Sequence, residues 1–109
     1  MKLLFLCSRN QWRSPTAEAI YQNDPRVQVR SAGTCSAART RVGEKLLRWA
    51  DLICVMEHAH KKRLRDDFPD LFRELQIEVL DIPDDYTFME PALIELVRER
   101  VEPLLAPDA

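Results

Sequence analysis

The chain has 109 residues, enough for one hydrophobic core and too few for a second. Apolar residues make up 46 % and charged residues 31 %, the balance of an ordinary globular protein rather than of a disordered one. Sixteen Lys and Arg stand against eighteen Asp and Glu, a formal net charge of −2, so the strong basic excess of a general nucleic-acid binder is missing.

Residues 3–6, Leu-Leu-Phe-Leu, form an unbroken apolar run, which predicts a strand buried on both faces. The run stops at Ser8-Arg9-Asn10, short of the roughly 7–15 residues of a secretory h-region, and no apolar stretch approaches the roughly 20 of a membrane span. A helix is expected from Ser14-Pro15, where the serine oxygen can cap free N–H groups and proline opens the helix without sacrificing a bond. Ala17, Ile20 and Tyr21 supply its apolar side, and Asn23-Asp24-Pro25 end it. Residues 27–30 predict a second strand, followed by a turn at Ser31-Ala32-Gly33-Thr34. Residues 40–50 predict a helix with Val42, Leu46 and Trp49 on one face. A third buried strand is expected over 52–56, then a basic helix over 58–65 that breaks near Phe68-Pro69. Residues 77–82 predict the fourth strand, with a polar turn at Pro83-Asp84-Asp85. Met89, Leu93, Leu96, Val97, Val101 and Leu104 then recur at helical spacing. That helix starts either at a Thr87–Glu90 capping box or at Pro91; the second is preferred, and the tail from Pro103 is expected to fray.

Short apolar strands alternating with helices predict a single α/β domain over residues 1–109, a doubly wound four-stranded parallel sheet flanked by helices. Such sheets bind ligands beyond the strand C-termini, where the strand order reverses. A central first strand puts residues 7–13 at that point.

The segment Cys7-Ser8-Arg9-Asn10-Gln11-Trp12-Arg13-Ser14 leaves a buried strand and enters a helix. A cysteine and an arginine five residues apart can wrap a tetrahedral oxyanion. The backbone N–H groups of the loop converge as an anion nest, and the helix N-terminus adds positive potential. Arg13 can hold two oxygens side by side, which lysine cannot do in that geometry. The same positive field favours the thiolate of Cys7, and Ser14 is placed to donate a hydrogen bond to it. For the proton that a departing oxygen needs, the turn after strand four offers Asp81, Asp84 and Asp85. Asp81 falls inside the expected strand and is the weakest of the three.

Residues 7–19, Cys-Ser-Arg-Asn-Gln-Trp-Arg-Ser-Pro-Thr-Ala-Glu-Ala, resemble the signature of the low-molecular-weight protein tyrosine phosphatase family. Further echoes follow in the family's order: Ser31-Ala32-Gly33-Thr34, Asp51-Leu52-Ile53-Cys54-Val55-Met56-Glu57 and Ile82-Pro83-Asp84-Asp85-Tyr86. The resemblance spans nearly the whole chain, which is shorter than typical members between Thr34 and Ala50 and before Ile77. It implies strand order 2-1-3-4, a cytoplasmic protein and hydrolysis of phosphate monoesters, phosphotyrosine or a similar aryl phosphate, through a cysteinyl-phosphate. By the same resemblance Cys7 is the nucleophile, Arg13 binds the phosphoryl oxygens, Asn10 props the loop in a strained turn, Ser14 partners the thiolate and Asp84 is the general acid. Asp85, where the family has proline, is the alternative acid. Ser8, Arg9, Asn10, Gln11, Trp12, Ser14 and Tyr86 are the substrate-binding candidates. Arg9 replaces a small residue and can attract a further anionic group or point into solvent; Trp12 and Tyr86 can wall a phenyl-phosphate pocket or serve as packing.

Two other readings share the fold: a thiol-dependent arsenate reductase, which needs a relay through Cys35, and a phosphate-binding module whose acid is misplaced. Three cysteines are too few for a disulfide framework and suit a reducing cytosol. His58 and His60, two apart on a helix, do not share a face, so a zinc site with Cys54 is not expected. No metal, cofactor, nucleic acid or membrane is called for; the expected partner is a phosphorylated protein or small aryl phosphate. The cluster Lys61-Lys62-Arg63-Arg65 reads as a solvated helix face, with attraction of an acidic substrate as a secondary possibility.

Overall fold

The structure, a computed structural model, is described for residues 1–105. Its elements are β1 (Lys2–Cys7), α1 (Arg13–Tyr21), β2 (Gln28–Gly33), α2 (Glu44–Trp49), β3 (Leu52–Val55), α3 (His58–Asp67), α4 (Pro69–Phe72), β4 (Ile77–Val79) and α5 (Pro91–Leu105). The four strands pair in parallel in the order β2-β1-β3-β4, as expected. The order reverses between β1 and β3, at the C-terminal end of β1.

Period-two alternation along β1 feeds two cores. Leu3, Phe5 and Cys7 face Ala17 and Tyr21 of α1 and Leu93 and Val97 of α5. Leu4 and Leu6 face Val42, Leu47, Leu64 and Leu71 on the other side. Leu3 to Leu6 are all fully buried, which is why the strand reads as an unbroken apolar run. No helix among the described residues is long and apolar enough to cross a membrane.

Several boundaries differ from the sequence expectation, each for a local reason. β2 continues through Ser31-Ala32-Gly33, where composition predicts a turn, because β1 offers a ladder as far as the Cys7–Gly33 pair. The helix expected over 40–50 shrinks to α2: Arg41 makes a parallel bridge with Gly33, and the Val42 N–H donates to the Gly33 carbonyl at 2.9 Å. Helix α1 begins at Arg13, with Trp12 at its N-cap position and no side-chain cap, so Ser14 lies inside the first turn and does not cap it. β4 stops at Val79. The N–H groups of Leu80 and Ile82 still donate to Val55 and Met56, but Asp81 between them has φ 58°, which interrupts the strand. Helix α5 starts at Pro91, as preferred, and runs past Pro103 to Leu105, so the expected fraying does not begin at that proline. The remainder of that tail, residues 106–109, lies outside the described residues.

Candidate active site

Strand β1 carries Cys7 to its last position, and α1 opens at Arg13; the residues between them turn over the C-terminal edge of the sheet. The acceptors of this loop are tied down from behind. Thr34, Cys35 and Arg39 donate their N–H groups to the carbonyls of Cys7, Ser8 and Arg9 at 2.9, 2.9 and 3.0 Å. Among the described residues, no backbone N–H from Ser8 to Arg13 donates to a backbone carbonyl. Acceptors spent on the protein and donors left unspent are what an anion nest requires. Gly33 makes the close approach possible: a Cβ there would come within 2.5 Å of the Ala38 Cβ and 2.6 Å of the Ser8 oxygen.

Asn10 turns the loop in the left-handed region, φ 57°, a conformation that asparagine tolerates better than most residues. Its buried amide donates to Ser14 Oγ at 2.9 Å and Ser31 Oγ at 3.0 Å, and the Ser31 hydroxyl passes on to Glu18 at 2.8 Å. Ser14 Oγ lies 3.0 Å from Cys7 Sγ and 3.3 Å from the Ala32 carbonyl. With one lone pair engaged by Asn10, the hydroxyl keeps a second lone pair and has one proton to place. A Cys7 thiolate takes that proton; a Cys7 thiol donates to Ser14 instead, and the serine turns to Ala32. Helix α1 has no side-chain cap, which leaves its first N–H groups available to an anion.

Arg13 is buried, and two other segments meet its guanidinium. Nη1 donates to Glu57 at the start of α3 and to the Ile82 carbonyl at 2.8 Å. Nε lies 3.5 Å from Asp84 Oδ1. The sequence alone gives Glu57 no role, since it reads there only as the residue after a strand. It presents His60 only as a poor zinc ligand. In the fold His60 is buried, its Nε2 lies 2.9 Å from Ser8 Oγ, and it shares a capping box with Glu57. The one sequence signal for the pair is their three-residue spacing, but Glu at the N-cap with His at N3 is not the Ser/Thr–Glu pattern of a familiar box.

A cleft of about 410 Å³ opens over the loop, lined by Cys7, Ser8, Arg9, Gln11, Trp12, Arg13 and Asp84. The candidates Asn10 and Ser14 sit behind it, bracing Cys7. Asp85 is exposed and Tyr86 packs against the core that holds α1 and α5; neither is among the lining residues. The acid-bearing turn is anchored on both flanks: Arg100 donates to the Leu80 carbonyl at 2.8 Å, and the Met89 N–H donates to Thr16 Oγ1 at 2.9 Å. Burial, reinforced by Glu78, pushes the Cys54 thiol up to about 12, and Cys35 is only half-buried. Among the described residues, no three His, Cys, Asp or Glu side chains converge as a metal site.

Neither a protein-family model nor a curated protein matches the chain. Solved structures do. The tyrosine phosphatase Wzb from Escherichia coli K30, in complex with phosphate, superposes with a TM-score of 0.78 at 20 % identity, covering 95 % of each chain. Wzb from Vibrio vulnificus, in complex with benzylphosphonate, gives 0.76 at 23 %, covering 95 % of this chain and 96 % of that one. The YwlE arginine phosphatase from Geobacillus stearothermophilus gives 0.70 at 23 %, covering 95 % and 87 %. At these identities the likeness is one of fold: the chain has the fold of the low-molecular-weight protein tyrosine phosphatases.

Proposed function

We propose that this protein is a cysteine-dependent phosphatase that hydrolyses phosphate monoesters through a cysteinyl-phosphate on Cys7. The observation that carries the reading is convergence. One cleft brings together Cys7, the loop whose N–H groups have no backbone acceptor, the buried guanidinium of Arg13 and the carboxyl of Asp84.

The Cys7 thiolate attacks phosphorus, forming the S–P bond as the P–O bond to the leaving group breaks. Asp84 delivers a proton to the departing oxygen. Water then attacks phosphorus, gives its proton to Asp84 and releases inorganic phosphate and the thiolate, which the Ser14 hydroxyl steadies. Arg13 and the loop amides carry the charge on the equatorial oxygens, so the chemistry needs no metal. Trp12, partly exposed at the rim, offers an aromatic face to a phenyl ring, which favours aryl phosphates, phosphotyrosine in a protein included. Position favours Asp84 over Asp85 as the acid, because Asp84 lines the cleft. A reductase relay is disfavoured: Cys54 is fully buried, its thiol held protonated, which leaves Cys35 without a second accessible partner.

The test is hydrolysis of 4-nitrophenyl phosphate in the presence of a chelator, with inorganic phosphate binding followed in parallel. The native chain should turn over, and Cys7→Ser should bind phosphate without turnover. A native chain that binds phosphate yet hydrolyses nothing would reduce the protein to a binding module. Undiminished activity in Cys7→Ser would remove the nucleophile from the mechanism.

A further inference from the structure

One wall of the cleft is backed by a chain of hydrogen bonds that the chemistry above does not use. His60, in the first turn of α3, is only 4 % exposed. Its Nδ1 lies 3.0 Å from the Glu57 backbone N–H, which can only donate. Nδ1 is therefore the acceptor, and a neutral ring must carry its proton on Nε2. Nε2 lies 2.9 Å from Ser8 Oγ, so the ring donates and the serine oxygen accepts. The Ser8 proton must then point elsewhere. Ser8 lines the cleft, and among the described residues its hydroxyl has no other hydrogen-bond partner.

We propose that Glu57, His60 and Ser8 form a one-way donor relay that aims the Ser8 hydroxyl at a phosphoryl oxygen bound in the cleft, with His60 as its positioning residue. The proposal rests on the phosphate-cradle reading and adds to it a side-chain donor supplied through α3, separate from the loop amides and Arg13. A serine hydroxyl free to rotate could equally accept a hydrogen bond and leave an oxyanion facing a lone pair; the imidazole forbids that orientation. The relay needs a neutral ring, since a proton on Nδ1 would face the Glu57 N–H donor to donor. Burial and then Arg13 hold His60 down at about 4, against the opposing pull of Glu57 and Asp84, so the ring is neutral near pH 7. Glu57 sits at the root of two arms: its carboxylate holds Arg13 while its N–H sets the imidazole.

The experiment measures inorganic phosphate affinity of the full chain at pH 7 by calorimetry, for native protein, Ser8→Ala, His60→Asn and the double variant. It is paired with the nitrogen NMR spectrum of the native histidines. Ser8→Ala should weaken phosphate binding about tenfold, as loss of a hydrogen bond to a charged group does. His60→Asn should weaken it by a similar factor, the double variant should be no weaker than Ser8→Ala alone, and His60 should show a bare Nδ1 and a protonated Nε2. Phosphate binding unchanged in Ser8→Ala, additive losses in the double variant, or a proton on Nδ1 would each overturn the relay while leaving the cradle intact. A native chain that binds no phosphate would overturn both. Ser8→Ala and the native spectrum decide the matter even if His60→Asn does not fold.

Discussion

The guanidinium of Arg13 meets Glu57 and the Ile82 carbonyl through Nη1, which fixes its plane before any ligand arrives. Lysine retains the charge but offers neither the planar fork nor the simultaneous contacts to both partners. Arg13→Lys should therefore lower kcat/KM for an aryl phosphate by about 10²–10³, the scale of losing one preorganised oxyanion donor. Adjacent carboxylates give a second test at this scale. Asp84 lines the cleft beside Arg13 and Asp85 does not, so Asp84→Asn should reduce kcat by about 10²–10⁴ while Asp85→Asn stays within a few-fold. The reverse ranking would hand the acid role to Asp85. Residues 7–13 are readable from sequence because a loop between a strand and a helix brings its own side chains together. Glu57 and His60 are not readable in the same way, since they meet Arg13 and Ser8 only through the pairing of β3 beside β1.

At the scale of elements, the segment after β2 acts as a buttress for the loop between β1 and α1. Its N–H groups at Thr34, Cys35 and Arg39 hold three successive loop carbonyls. This role explains the two largest departures from the sequence reading. The Ser31-Ala32-Gly33 stretch looks like a turn by composition, yet it completes β2, and residues 40–43 look helical by apolar spacing, yet they pair back onto Gly33. In the first case the ladder offered by β1, far away in sequence, overrode local preference; in the second, backbone bonds back to nearby Gly33 did so, which apolar spacing does not encode. Gly33→Ala tests the buttress. The added methyl has backbone on one side, so the segment must retreat from the loop, and the variant should lose about 1–3 kcal/mol in urea unfolding. Its phosphate affinity should fall with it. A Gly33→Ala protein as stable as the native one would mean that the close approach does not hold in solution.

For the whole molecule, acid stability follows from how the fold treats its titrating groups. Asp24 accepts three hydrogen bonds from the Arg26 side chain and one from its N–H, which lowers it to about 2, and Glu102 joins the same cluster from α5. Asp24 is partly covered, but its partners Arg26 and Glu102 stand about half in solvent, which screens the cluster, so it adds little. His60 is different because it is buried beside Arg13 and held neutral. Its value falls from the ordinary 6.5 to about 4 on folding. Below pH 6.5 the unfolded chain binds a proton at this residue that the folded chain refuses, so the native state loses ground as pH falls through the window from about 6.5 to about 4. Above that window the ring is neutral in both states and the effect vanishes. Its full size is on the order of 3 kcal/mol, because each tenfold loss of proton affinity on folding is worth ~1.36 kcal/mol. Carboxylates titrate in the same range, so the informative quantity is the difference between native protein and His60→Asn, in which they are common to both. That difference in unfolding free energy, measured by urea titration at several pH values, should be constant above pH 7 and shift against the native protein by about 3 kcal/mol between pH 6.5 and 4. A difference that stays flat across the window would place the imidazole in contact with water, and the wall it lends to the cleft would have to be rebuilt without it.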